Sequence, residues 1–305
     1  HAHTLGYAFA HVCALHMLER DVETVDTLAQ QALAGAIKRE LPLWISVART
    51  FLGWCKVESG RLAEGIDTLE KQRSFLETAY LVPWLPTYLC WLAEAYIRAE
   101  MLQEAKQALE QARDIDPNYP ETHFFLGKRA QAKGELGQAL TEYRKAIELN
   151  PDYAEARMAL GIQSMASGNY NEALTQFEAT VKLVPTLVPA HLNLGDVYRA
   201  LRRWQDAKRE FDKALRMQAQ LPEAHFNLAL MYMSVGNEFP NLTELDALNR
   251  SLTEFNTYRS QIGARLTPTD PSGAYMTDVQ RRIDREKKRI EREKDKADKD
   301  AQRKA

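Results

Sequence analysis

The chain has 305 residues, 45% hydrophobic and 27% charged, the composition of a globular protein with a sizeable core, not of a disordered one. Its formal net charge of -2 gives no general attraction to phosphate backbones or acidic membranes, and it holds no run of about 18 apolar residues to span a bilayer. Cys13, Cys55 and Cys90 are odd in number, far apart and free of C-x-x-C spacing, which fits reduced core residues and neither a disulfide framework nor a zinc site.

The sequence opens on His1, not Met, and HAHTLGYAFAHV already reads as helix. A fragment or processed form is therefore expected, and the missing signal peptide says little about compartment. A reducing, cytoplasmic setting is the expectation, with the periplasm as the alternative. The first helix pair fits Leu5 to Glu40, with Arg20 and Asp21 at its turn. Leu52 and Gly53 precede Leu92 by 40 residues, and ESGRLAEGIDTLEK reads as the turn and second helix of a longer unit.

From Leu92 onward the step shortens to 34. Leu126 and Gly127 recur as Leu160 and Gly161, as Leu194 and Gly195, and as Leu228 and Ala229, and one step back lies Leu92 with Ala93. Ala105, Ala139, Ala173 and Ala207 keep the same phase, as do Leu109, Tyr143, Phe177 and Phe211, and Ala112, Ala146, Thr180 and Ala214. Pro117, Pro151 and Pro185 close successive units, and Gly134, Gly168 and Gly236 mark the reversal inside them, with Arg202 in that place once. Such a period specifies stacked helix-turn-helix units: small residues let paired helices approach, and large ones fill the gap.

On these residues the chain resembles the tetratricopeptide-repeat family, whose pattern W-x2-L-G-x2-Y…A-x3-F-x2-A…P is matched best from about Thr87 to Met217. The resemblance implies an all-α, right-handed α-solenoid of about seven helix-turn-helix units, followed by a charged C-terminal helix. LHMLERDVE, LPLWISVARTFLGW and WLAEAYIRAEMLQEA, within about the first 115 residues, are similar to helical repeat regions of bacterial signalling ATPases and cyclases. The expected organisation is longer units over 1–118, units of 34 over 119–263, a linker over 264–276 and a charged tail over 277–305.

The last 34-residue unit carries an insertion: SLTEFNTY arrives 10 residues late, after NEFPNLTELDALNR. That segment and the tail are weakly similar to pilus-assembly and gliding-motility repeat proteins of bacteria. ARLTPTDPSGAY is rich in turn formers. Residues 277–305 hold 12 Lys/Arg and 8 Asp/Glu, a local +4 that leaves -6 for the remainder. With only Val279, Ile283 and Ile290 apolar and many i, i+4 charge pairs, the tail reads as a detached, solvated helix. A docking or nucleic-acid arm is the alternative.

First helices of stacked units line a concave groove. Offsets around the Leu-Gly pair place Phe124, Lys128, Gln131, Met158, Ile162, Met165, Leu192, Asn193, Asp196, Arg199, Phe226, Asn227, Leu230 and Met233 on that face, an apolar surface with scattered polar groups. Asn193 and Asn227, one step apart, resemble the asparagine ladder of some tetratricopeptide proteins, an amide able to grip a peptide backbone. A Lys/Asn clamp for a terminal carboxylate, as in chaperone-binding members, is not expected: only Lys128 suits it, with Ile162 and Asp196 in the equivalent places.

His123, His191 and His225 share one phase, but equivalent side chains of stacked repeats stand about 10 Å apart, whereas zinc needs nitrogens about 2 Å from the metal. They read as packing or groove-edge histidines, and the same holds for His1 and His3. No phosphate-binding loop, dinucleotide fingerprint, H-E-x-x-H or G-x-S-x-G occurs. The expectation is no enzyme and no cofactor or metal. A protein-interaction scaffold is expected, binding a partner's peptide or helix in the concave groove. The alternatives are a regulatory helical domain of a larger signalling ATPase or cyclase, and RNA or acidic-surface binding through the tail.

Overall fold

The computed structural model describes residues 2–18, 20–78 and 84–304, and among them no strand occurs. Helices follow one another as α1 (Ala2–Leu18), α2 (Val22–Lys38), α3 (Pro42–Glu58), α4 (Leu62–Thr78), α5 (Leu85–Arg98), α6 (Leu102–Ile115), α7 (Pro120–Ala132), α8 (Leu136–Leu149) and α9 (Ala154–Ala166). They continue with α10 (Tyr170–Leu183), α11 (Val188–Ala200), α12 (Trp204–Met217), α13 (Pro222–Val235), α14 (Glu244–Ile262), a 3-10 turn (Gly263–Arg265) and α15 (Ser272–Lys304). Odd and even helices to α14 form seven consecutive pairs, and α15 follows the last. The chain divides into two compact units, residues 1–156 and 157–305. No helix among the described residues is long and apolar enough to cross a membrane.

The turn inside each pair is set by one left-handed residue. Gly60, Gly134, Gly168 and Gly236 take positive φ there, and so do Arg20, Glu100 and Arg202, the last at φ 59. These positions step by 40, 40, 34, 34, 34 and 34 along the sequence. The longer steps have a simple cause: α2, α3 and α4 each run 17 residues, against 13 or 14 in α7 to α12. Proline opens α3, α7 and α13, where its missing N–H has no helical partner to lose. Asp21 and Asn169 cap α2 and α10 by accepting from backbone N–H groups at 3.1 and 3.3 Å.

Within the pairs the small and large positions meet. A Cβ on Gly127 would stand 2.5 Å from Tyr143, one on Gly161 2.6 Å from Phe177, and one on Gly195 2.5 Å from Phe211. Each ring therefore lies where the glycine of the facing helix leaves room, and Tyr143, Phe177 and Phe211 are fully buried, with Ala139, Ala173 and Ala207 beside them. In the last pair the same places, moved on by the 10-residue insertion, hold Ser251 and Phe255, both at 0% exposure. Ser251 Oγ donates to the Ala229 carbonyl at 2.8 Å, which satisfies a hydroxyl that stands where the other pairs have alanine.

The insertion is shared between a longer loop and a longer helix. α14 has 19 residues against 14 in α12, and the loop before it is held by Trp204 Nε1 donating to Glu238 at 2.7 Å and by the Thr243 cap. α15 begins at Ser272, inside the stretch expected to be linker, and its first half is docked, unlike the detached helix expected from the sequence. Val279 and Ile283 are buried at 0% and 2% against Leu248 and Phe255, and Arg282 Nη1 donates to the Met233 carbonyl at 2.7 Å. Too few apolar residues for a coiled coil are enough here, because both fall in the first four turns. Beyond Glu286 the described side chains are exposed.

Candidate peptide-docking basin

One equivalent first-helix residue staples each of the last four pairs. His123 Nδ1 lies 2.8 Å from Glu142 Oε2 and its Nε2 3.2 Å from the Pro117 carbonyl; His191 repeats this with Glu210 at 2.7 Å and Pro185 at 3.0 Å. His225 pairs with Glu254 at 2.6 Å, and Arg157 donates to Gln176 at 2.9 Å in the remaining 34-residue pair. Glu142, Gln176, Glu210 and Glu254 are themselves one series, with the inserted residues counted. These side chains bind first helix to second helix, as packing groups. Among the described residues no three His, Cys, Asp or Glu gather as metal ligands; His1 and the side chain of His3 lie outside those residues. Cys13, Cys55 and Cys90 are buried free thiols, and burial pushes the Cys13 and Cys55 pKa up to about 12.

In the unit of residues 1–156 the first helices enclose a basin of about 630 Å³. α1 contributes His11, Ala14 and Met17; α3 Trp54; α5 Thr87, Cys90, Trp91 and Glu94; α7 Glu121, Phe124, Phe125 and Lys128. Arg20, Tyr119, Asn150, Asp152, Tyr153 and Glu155 complete its wall. Ala14, Trp54, Glu94 and Lys128 each stand six residues before their left-handed turn residue, so one register position in four successive pairs lines the basin. The sequence reading placed only Phe124 and Lys128 of this set on the groove. Carrying the Phe124 and Lys128 positions back by 34 residues identifies Cys90 and Glu94, and a further 40 residues back from Glu94 lies Trp54.

Charge is distributed unevenly around the wall. Glu94 Oε1 lies 3.2 Å from Lys128 Nζ and 4.0 Å from Arg20 Nη2, and Glu58 lies 3.0 Å from Arg20 and 2.7 Å from Arg98. Both carboxylates are largely buried, and each is met by two cations, as burial of charge requires. Lys128 Nζ also lies 5.6 Å from the Phe124 ring centroid and 5.3 Å from that of Phe125. At the other end Glu121 Oε2 is buried without a hydrogen-bond partner, and burial, then the Glu155 charge, raises its pKa. Beside it Tyr119 and Thr87 share a 2.8 Å hydrogen bond, and the Tyr153 ring stands 5.1 Å from Phe124. A second, largely apolar gap of about 40 Å³ lies among Tyr7, Trp44, Phe51, Trp84 and Trp91.

The other expected groove residues have different surroundings. Gln131 is exposed and accepts a 2.7 Å hydrogen bond from the Tyr143 hydroxyl. In the unit of residues 157–305, Met158, Met165 and Leu192 are half-buried against the core built on Phe177 and Phe211, whereas Ile162 stays 41% exposed. Asn227 Nδ2 donates to Asp196 Oδ2 at 2.8 Å, and Arg199 Nε donates to Asp196 Oδ1 at 3.2 Å. Burial raises the Asp196 pKa. The Asn227 amide is thus engaged within the fold, and Asn193 is half-buried. Phe226, Leu230 and Met233 pack in the cluster that holds Val279 and Ile283, so α15 takes up that part of the face.

Tetratricopeptide-repeat models match residues 86–119 and 164–231, and a model described as TPR repeat matches 131–162. Together with helix pairs of this geometry, these matches show tetratricopeptide repeats within residues 86–231 of the chain. No curated protein matches the chain. Among solved structures it is similar to a chain of the APC/C hetero-tetramer Cut9-Hcn1, at 13% identity and TM-score 0.64, over 83% of this chain and 46% of that one. The protein thus spans about half the length of that relative. It is similar also to PilW, a widely conserved type IV pilus biogenesis factor, at 19% identity and TM-score 0.53, over 65% of this chain and 91% of that one. For pilF of Pseudomonas aeruginosa the values are 20% identity and TM-score 0.52, over 67% and 92%. At such identities the likeness carries the fold alone.

Proposed function

We propose that the protein is an interaction scaffold that takes a peptide or helix of a partner protein in the basin lined by α1, α3, α5 and α7. The observation that supports this reading is the basin itself: about 630 Å³ of open volume whose wall combines Trp54, Trp91, Phe124 and Phe125 with fixed charges. Aromatic anchors framed by polar groups are the composition of binding hot spots. A segment laid along it meets one register position from each of four pairs, the arrangement by which a repeat protein reads an extended ligand.

Affinity capture with mass spectrometry, comparing wild type with an Ala14→Arg, Thr87→Arg double variant of verified helicity, tests the proposal. Both positions are half-buried in the basin wall, so the new side chains fill it. Partners lost with the folded variant support the basin as the docking site. An unchanged partner set refutes it.

A further inference from the structure

Resting on that reading, we infer that the α7 end of the basin takes an arginine side chain of the docked segment. The basic groups of the basin are already spoken for: Lys128 and Arg20 both face Glu94, and Arg20 also faces Glu58. Carboxylates at the other end have no such cations. Glu121, Asp152 and Glu155 line the same wall. Among the described residues none of the three forms an ion pair, and Glu121 Oε2 is buried with no hydrogen-bond donor at all.

A buried acceptor left unmatched is costly to a fold, and it is tolerated where a ligand completes it. Aromatic surface surrounds it on the partly buried side chains of Tyr119, Phe124 and Tyr153. Carboxylates beside ring faces are the environment that suits a guanidinium, which stacks on aromatic planes and pairs with carboxylates through two parallel N–H groups. A lysine ammonium, more strongly hydrated and without a plane, gains less there. The flanking apolar residues of the segment then lie towards Trp91, Trp54 and Met17. The selectivity is opposite to that of a clamp for a terminal carboxylate, because the free charges in this basin are negative.

Two pentapeptides, acetyl-Ala-Leu-Arg-Leu-Ala-amide and its citrulline counterpart, differ only in the charge of one planar head group. Titrated into the full chain and followed by NMR at millimolar concentrations, the arginine peptide is expected to bind about tenfold more tightly than the citrulline one. Glu121→Gln is expected to erase that difference, while Glu23→Gln, an equal charge change at an exposed position of α2, leaves the difference intact. Should Glu121→Gln not fold, Glu155→Gln at an exposed position serves in its place and is expected to narrow the difference. Equal affinities for the two peptides, or a preference that survives Glu121→Gln, overturn the arginine site while leaving the basin as a docking surface. Failure of both peptides to bind overturns the arginine site and counts against the basin as well.

Discussion

Tyr143, Phe177 and Phe211 owe their burial to what faces them: glycine in each case. Gly195→Ala places a methyl 2.5 Å from the Phe211 ring, so the ring must leave its rotamer or the helices must part. A loss of about 1–3 kcal/mol of stability is expected in chemical unfolding, as for other overpacked cores. The turn residues predict the opposite sign. Glu100 is exposed at φ 60, a conformation that glycine adopts freely and an L side chain does not, so Glu100→Gly is expected to raise stability by about 0.5–1 kcal/mol.

Glu121 carries a pH signature. Burial raises its folded-state pKa, so the folded state holds the proton more tightly than the unfolded chain does. Stability therefore rises as pH falls from the raised value towards the ordinary glutamate range near about 4.3, and is lost as pH rises through that window. Glu121→Gln is expected to raise Tm at neutral pH and to flatten that part of the Tm-against-pH curve. The same substitution weakens arginine binding, a trade of stability for recognition.

At the scale of the element, α15 is two things in one helix. Its first half is a hydrophobic cap and its second half a solvated rod in which Arg289 reaches both Glu286 and Glu293. Val279→Asp buries an unpaired carboxylate and is expected to release residues 272–286 to rapid hydrogen exchange, with a loss of about 2–4 kcal/mol. Removing residues 287–305 touches no buried side chain among those described and is expected to change stability by less than about 0.5 kcal/mol. The difference was only partly legible in the sequence. Averaged over the tail, Val279 and Ile283 look too sparse to dock anything; their position in the first turns, next to the apolar surface of α13 and α14, is what decides.

The 34-residue pairs were legible because small and large residues recur at fixed places, and close packing leaves those places little choice. Ser251 and Phe255 hold their register even across the insertion. The N-terminal pairs were harder to read, since an extra turn in α2, α3 and α4 moves the step to 40 and breaks the family pattern. Offsets were taken only from α7 onward and found Phe124 and Lys128, whereas Trp54, Thr87, Trp91 and Glu94 lie in the two pairs before α7. Spacing alone also cannot tell a half-buried packing residue from an open one: Met158, Leu192 and Phe226 are half-buried, as Phe124 is on α7.

For the whole molecule, the central claim is that partners enter through the first helices of the N-terminal unit. Hydrogen exchange with mass spectrometry on the full chain, alone and with a captured partner bound, tests it most directly. The account predicts new protection in peptides that cover His11–Arg20, Thr87–Glu94 and Glu121–Lys128, with the second helices α2, α4 and α6 unchanged. Protection confined to those second helices, or to α13 through α15, would contradict it.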